Sequence, residues 1–229
     1  MSGEGAWHLG PMVLAESAWL SMAVSALLVG LALWLRGRVA DGKLPMAAEL
    51  GYTLMRDAVA EVVPAEDVPR VLPFVGTLWL FVLACNLLGL VPGLSSPTSD
   101  LSVTAALAVI VFVAVHVYGI RSGGWKAYLR HYLAPSPLLL PFHFVSEITR
   151  TLALAIRLFG NMMSLEMAAM LMLLVAGLLV PVPLLLLHIV EALVQAYIFG
   201  MLALIYVSSA LEVSQQAHSR SPISKESSA

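Results

Sequence analysis

The chain has 229 residues, of which 60% are hydrophobic and 11% are charged, and its formal net charge is -2. Soluble domains carry about 25% charged residues, so this chain lacks the polar exterior that a water-soluble fold of its length needs. The charge balance also excludes the basic surface of a nucleic-acid-binding protein. Lys and Arg fall mainly between long hydrophobic runs, and we therefore predict an integral membrane protein.

The hydrophobic runs predict one all-α, polytopic membrane domain over residues 1–229, with about five membrane-embedded helices and one surface helix. A span needs about 20 mostly apolar residues, and the first lies at residues 18–35, followed by Arg36 and Arg38. Basic residues beside a span stay cytoplasmic, so the N-terminus is predicted to lie outside. Residues 45–63 mix apolar and charged side chains, which is typical of an amphipathic helix on the cytoplasmic surface.

Two further spans are predicted at residues 71–91 and 101–120, and the connection between them carries no Lys or Arg, as expected of an outside loop. Two long hydrophobic segments follow at residues 137–180 and 183–213. The first would extend about 60 Å as one helix, about twice the hydrocarbon thickness, so it must tilt strongly or break. The polar residues 214–229 predict a flexible cytoplasmic tail.

Two arginines, Arg150 and Arg157, lie inside the first long segment. An arginine at the bilayer centre costs about 3 kcal/mol, so its presence indicates a function or a partner. Spacings of seven, four and three place a polar stripe on one helix face, formed by Arg150, Arg157, Asn161 and Ser164. Glu166 lies near the opposite side of that helix, and it is therefore not expected to neutralise Arg157.

A second polar stripe lies in the last hydrophobic segment, where spacings of three and four place His188, Glu191 and Gln195 on one face. Stripes that cannot face lipid are expected to face each other, a water-filled space or another protein. His188 and Glu191 carry titratable protons inside the membrane, where proton relays concentrate. The amides and hydroxyls of the two stripes also fit simple hydrogen bonds between helices.

The other intramembrane polar residues have structural interpretations as well. Glu147 lies three positions before Arg150, so these two residues are predicted to form an ion pair near a membrane surface. Asp100 fits a helix cap for the span that begins at Leu101, and Asn86 fits a packing role. The single cysteine, Cys85, lies in an apolar run and excludes a disulfide framework.

No metal-ligand set, nucleophile constellation or nucleotide-binding glycine loop occurs in the sequence. We therefore expect no metal, no cofactor and no catalysis by this chain alone.

Residues 157–161 read RLFGN, preceded by Leu-Ala-Ile, and this string resembles the signature of subunit a of F-type rotary ATP synthases. Residues 86–92 (NLLGLVP), 97–104 (PTSDLSVT) and 195–199 (QAYIF) resemble other parts of the family pattern. The resemblance covers about residues 71–211.

The resemblance implies an ion-translocating stator subunit with two aqueous half-channels. Arg157 would be the essential arginine that faces carboxylates of a rotating c-ring, with Gln195 as its partner on the last helix. The resemblance also places Asn161, Glu166 and His188 in the lining of the half-channels, and Asp100 and Glu147 match polar positions of the family. We add the other intramembrane polar residues Asn86, Ser164 and Glu191 to the predicted lining; Glu191 is an acid beyond the usual family stripe.

The family also implies that the last two helices form a steeply tilted pair against the c-ring. Peripheral-stalk b subunits and the lipid bilayer are the other expected partners, and a bacterial plasma membrane is the expected location. Protons are the expected ion. A sodium-translocating version of the same subunit and a stand-alone ion-coupled secondary transporter are the alternatives.

Overall fold

In the computed structural model, the described residues are 7–9, 12–14, 16–40, 45–91, 95–133, 140–176 and 181–219. Their helices are α1 (Glu16–Ala40), α2 (Met46–Ala60), α3 (Val68–Leu88), α4 (Leu101–Leu133), α5 (Leu140–Ala176) and α6 (Pro181–Ser219). A 3-10 turn, Pro97–Ser99, precedes α4. Two short antiparallel strands, β1 (Trp7–Leu9) and β2 (Met12–Leu14), precede α1.

Five of the helices described here contain a segment long and apolar enough to cross a membrane. These segments are Ser17–Val39, Val68–Leu88, Leu101–Ser122, Val145–Val175 and Pro183–Glu212. The predicted all-α, polytopic class is therefore confirmed. Helix α2, which has 15 residues, coincides with the predicted surface helix and is too short to span the hydrocarbon layer.

Helix α5 is continuous over its 37 residues, so it is about 55 Å long. Of the two alternatives that the sequence left for this segment, tilt and breakage, the unbroken helix favours tilt. The first and last parts of the predicted segment, residues 137–139 and 177–180, lie outside the described residues.

Two helices extend beyond their predicted ends. Helix α4 continues past residue 120 but is interrupted at Gly124, whose φ of 78° and ψ of 156° are not helical and favour glycine; a second helical part then reaches Leu133. Helix α6 continues through Ser219, so residues 214–219 of the predicted tail are helical. These six residues contain no Gly or Pro to end the helix. The remainder of that tail lies outside the described residues.

Helices α3 to α6 share one apolar core, and α4 packs against both α5 and α6. Each of the four helices contributes side chains with almost no exposure, among them Val71, Val75, Val82, Val111, Leu158, Phe199 and Leu204. Helix α1 lies at the edge, where Val24 is its buried apolar residue. This arrangement holds α3, α5 and α6, which carry most of the predicted polar residues, against one another.

Gly200 allows α6 to pass directly against α3. A Cβ atom at this position would lie 1.7 Å from Trp79 Nε1. The indole N–H of Trp79 donates to the carbonyl oxygen of Tyr197 at 3.3 Å, and the two rings stack with their centroids 6.1 Å apart. The indole is therefore fixed by a hydrogen bond and a ring contact, and it has little freedom to move away from an added methyl group.

We predict that Gly200→Ala destabilises the subunit by about 1–3 kcal/mol, the usual cost of overpacking a close contact. The measurements are the melting temperature of the purified complex and the amount of the subunit in the membrane. Gly30→Ala is the matched control, because a Cβ at this helical glycine meets nothing within 4 Å. Equal melting temperatures for Gly200→Ala and the unmodified protein would contradict the packing argument.

Candidate functional site

Arg157 lies near the middle of the Val145–Val175 span, and its side chain is exposed on the surface of the chain. Its neighbour Ile156 is 59% exposed, as expected for a surface that meets lipid or another protein. Among the described residues, no carboxylate lies within ion-pair distance of the guanidinium. A lone cation at this depth is costly in lipid, so this surface requires a polar or charged partner from outside the chain, or water.

One helical turn after Arg157, the two polar stripes predicted from the sequence meet. Asn161 Nδ2 donates to Gln195 Oε1 at 2.6 Å, and the Gln195 side chain is only 1% exposed. Gln195 Nε2 is buried without a hydrogen-bond partner in the described part of the chain. A buried amide donor left in this state costs about 1–3 kcal/mol. The structure therefore pairs Gln195 Oε1 with Asn161 and leaves both N–H donors of the Gln195 amide without a partner among the described residues.

Asn86 joins three segments at the end of α3, where it is completely buried. Its Oδ1 accepts a 2.6 Å hydrogen bond from Thr98 Oγ1, and its Nδ2 donates to the carbonyl oxygen of Ala192 at 3.5 Å. Its own carbonyl oxygen lies 3.2 Å from His188 Nε2. Since a carbonyl oxygen only accepts, Nε2 carries the proton in this contact. Asn86 thus fixes the His188 imidazole against α3.

Glu166 is held by the backbone just before the 3-10 turn. Ser96 N donates to Glu166 Oε1 at 2.6 Å, and Ser96 Oγ donates to the carbonyl oxygen of Cys85 at 2.9 Å. Glu166 therefore faces α3 and the turn. Its carboxylate and the His188 imidazole approach the same end of α3 from two different helices.

A cavity of about 510 Å³ lies beside Glu166 and reaches Asp100, with Ser17, Ser96 and Ser99 also on its wall. Asp100 accepts hydrogen bonds from Ser17 Oγ and, at 2.8 Å, from Ser102 N, so it also caps α4. Burial raises the pKa of Asp100, but these hydrogen bonds outweigh burial and hold the pKa below its ordinary value. Asp100 therefore places a negative charge at this cavity.

The remaining predicted residues lie apart from the Asn161–Gln195 pair and from the polar groups around the end of α3. Ser164 is exposed, and Glu147 and Glu191 are partly buried. The Arg150 guanidinium lies over the Tyr206 ring, 5.3 Å from the ring centroid. The ion pair between Glu147 and Arg150 stays a prediction.

Sequence reasoning missed Ser17, Ser96 and Thr98 as members of the polar clusters. The last two lie in the connection before α4, where serine and threonine are ordinary turn residues. The signal that could have found them is the shortness of this connection. It joins two spans, so its hydroxyls stay close enough to bond α3.

The fold and these intramembrane clusters define a multi-pass membrane protein with polar sites between its last helices. The family described as ATP synthase A chain matches residues 16–208. The chain is 53% identical over 222 residues to ATP synthase subunit a 1 of Hahella chejuensis, with 96% of this chain and 92% of the relative covered.

It is 55% identical over 212 residues to ATP synthase subunit a 2 of Pelobacter propionicus, covering 91% of this chain and 92% of the relative. With ATP synthase subunit a of Legionella pneumophila it shares 60% identity over 158 residues, which are 69% of this chain and 68% of the relative. The chain belongs to the ATP synthase subunit a family. It is a non-catalytic, multi-pass membrane subunit of a bacterial F-type ATP synthase complex.

We predict that Thr98→Val lowers the stability of the complex by about 1–3 kcal/mol, because the buried Oδ1 of Asn86 loses its 2.6 Å donor. The measurement is the melting temperature of the purified complex. Thr53→Val is the matched control, since Thr53 is exposed and its hydroxyl bonds only the Glu49 carbonyl of its own helix. An equal effect of both substitutions would contradict a specific role for the bond to Asn86.

Proposed function

We propose that this chain translocates ions as the stator of the rotary complex, and that Arg157 is the fixed charge that faces the carboxylates of a rotating c-ring. The observation that carries the proposal is the exposed guanidinium near the middle of a membrane span, with no described carboxylate of its own chain in ion-pair distance. A charge in this position is stabilised when a carboxylate from another subunit passes it.

The same charge supplies the chemistry of the motor. A rotor carboxylate is costly in lipid when it is ionised and tolerable when it is protonated. Arg157 favours the ionised form, so each carboxylate releases its ion near the arginine and binds another before it re-enters lipid. The guanidinium also blocks direct passage between the two half-channels. Each elementary charge that crosses the membrane contributes about 2.3 kcal/mol per 100 mV.

We place the outer half-channel at the cavity that joins Asp100 to Glu166, with His188 and Asn86 at its inner end. Three observations support this position: the cavity itself, the negative charge of Asp100, and the two titratable side chains that approach the end of α3. The α3–α4 connection lies outside by the positive-inside rule. The N-terminus outside and the C-terminus in the cytoplasm follow from the same rule.

Peripheral-stalk b subunits are proposed as further partners. Protons are the proposed ion because Glu166 and His188 both bind protons. A sodium-dependent version is the second candidate within the same family. ATP-driven transport by vesicles that contain the whole complex, measured at several sodium concentrations, separates the two. The relatives are subunits of a complex, and this argues against a stand-alone secondary transporter.

We predict that Arg157→Ala leaves assembly intact but lowers ATP-driven ion transport about a hundredfold or more, the scale seen when a charge-stabilising group is removed. Acidification of vesicles that contain the whole complex is the measurement. Arg56→Ala, an exposed arginine on α2, is the control and should transport normally. Pumping by Arg157→Ala at the rate of the unmodified complex would refute the proposed role.

Gln195→Leu should slow transport by only about tenfold, because the side chain supports Asn161 by a hydrogen bond and carries no charge. The same vesicle assay measures this effect. The control is Ser209→Ala, since that exposed hydroxyl bonds only the Ile205 carbonyl of its own helix. A loss as large as that of Arg157→Ala would show that the roles of the two residues are ranked wrongly.

A further inference from the structure

Two hydroxyl groups link the neighbourhood of Glu166 to Asn86, but they do not form a path for protons. Ser96 Oγ and Thr98 Oγ1 lie 2.6 Å apart, and both residues are buried. Each hydroxyl has one hydrogen: Ser96 Oγ donates either to the Cys85 carbonyl oxygen or to Thr98, and Thr98 Oγ1 donates either to Asn86 Oδ1 or to Ser96. In every combination the last acceptor is an amide oxygen. Amide oxygens accept hydrogen bonds and do not titrate. These hydroxyls therefore position the site, and an ion that passes between Glu166 and His188 needs another route.

Gly89 lies where that other route would run. It caps α3 with φ −64° and ψ −10°, ordinary right-handed values that any residue adopts. Backbone conformation therefore does not require a glycine here. A Cβ atom at this position, however, would lie 3.1 Å from Ser96 Cβ, 3.3 Å from His188 Cε1 and 3.4 Å from Glu166 Oε1. The missing side chain leaves the space that these three groups surround.

The contacts bring both groups to this space. His188 Cε1, the ring carbon between the two nitrogens, faces Gly89, while Nε2 donates to the Asn86 carbonyl oxygen. On the other side is Oε1 of the Glu166 carboxylate, which Ser96 N holds at 2.6 Å. Both groups thus come within 3.4 Å of one point beside Gly89, a spacing that one bridging water can join.

We propose that Gly89 keeps open the passage between His188 and Glu166, and that the size of the side chain at this position sets the rate of proton transfer through the outer half-channel. In that transfer, a proton leaves the His188 imidazolium and binds the Glu166 carboxylate, so that both groups become neutral. Transport in the other direction reverses the step. This inference rests on the proposed function of the chain.

The test uses the whole ATP synthase in vesicles, with Gly89→Ala and Gly89→Val. The initial rate of ATP-driven acidification is measured per assembled complex. We expect a loss of about threefold for Ala and about tenfold or more for Val, because small displacements of transferring groups have large effects on rate. The amount of assembled complex should stay unchanged. Gly76→Ala is the control on the same helix, since a Cβ at this position meets only Met55 Sδ at an ordinary 3.7 Å.

Normal transport by Gly89→Val overturns the inference, and so does a loss of transport that merely follows a loss of assembled complex. If Gly89→Val does not assemble, the rate of Gly89→Ala per assembled complex decides between the two outcomes. Parallel measurement of Arg157→Ala separates this inference from the proposed function. Normal pumping by Arg157→Ala refutes the function, whereas an inactive Arg157→Ala beside fully active Gly89 variants refutes only the role of Gly89.

Discussion

A guanidinium in the middle of a membrane span must find a counter-charge or water, and in this chain Arg157 finds no described carboxylate of its own. The cost of leaving such a group in lipid is several kcal/mol. The protein surface around Arg157 therefore needs water or a polar or charged partner from outside the chain. The chain belongs to a family of ATP synthase subunits, so such a partner would be another subunit of the ATP synthase complex. The tilt proposed for the long helices α5 and α6 would bring this surface alongside a rotor.

The other polar groups of α5 and α6 form two further sets. Asn161 and Gln195 form a partly buried hydrogen bond one turn away, which supports the helix pair without adding charge. Glu166 and His188 lie on the side of α3, where Ser96 and Asn86 fix their orientation. Fixed orientation matters for proton transfer because donor and acceptor must approach within hydrogen-bond reach. In the proposed function, charge, support and proton transfer therefore belong to three separate groups of residues.

Much of this arrangement was predictable from the sequence. Length and hydrophobicity gave the five spans, and helical spacing gave the two polar stripes that meet at Asn161 and Gln195. The spacing did not predict that His188, on the same face of α6 as Gln195, turns to Asn86 instead of α5. A face of one helix meets different neighbours along its length when helices cross. Contacts such as Gly200 with Trp79 depend on those crossings, and periodicity within one helix contains no information about them.

The most direct test of the account is a density map of the assembled complex that resolves the Arg157 side chain. The account predicts that the guanidinium lies opposite a rotor carboxylate, in direct contact or with one water between them. A guanidinium paired with a carboxylate of its own chain, or directed into bulk water away from the rotor, would contradict the central claim.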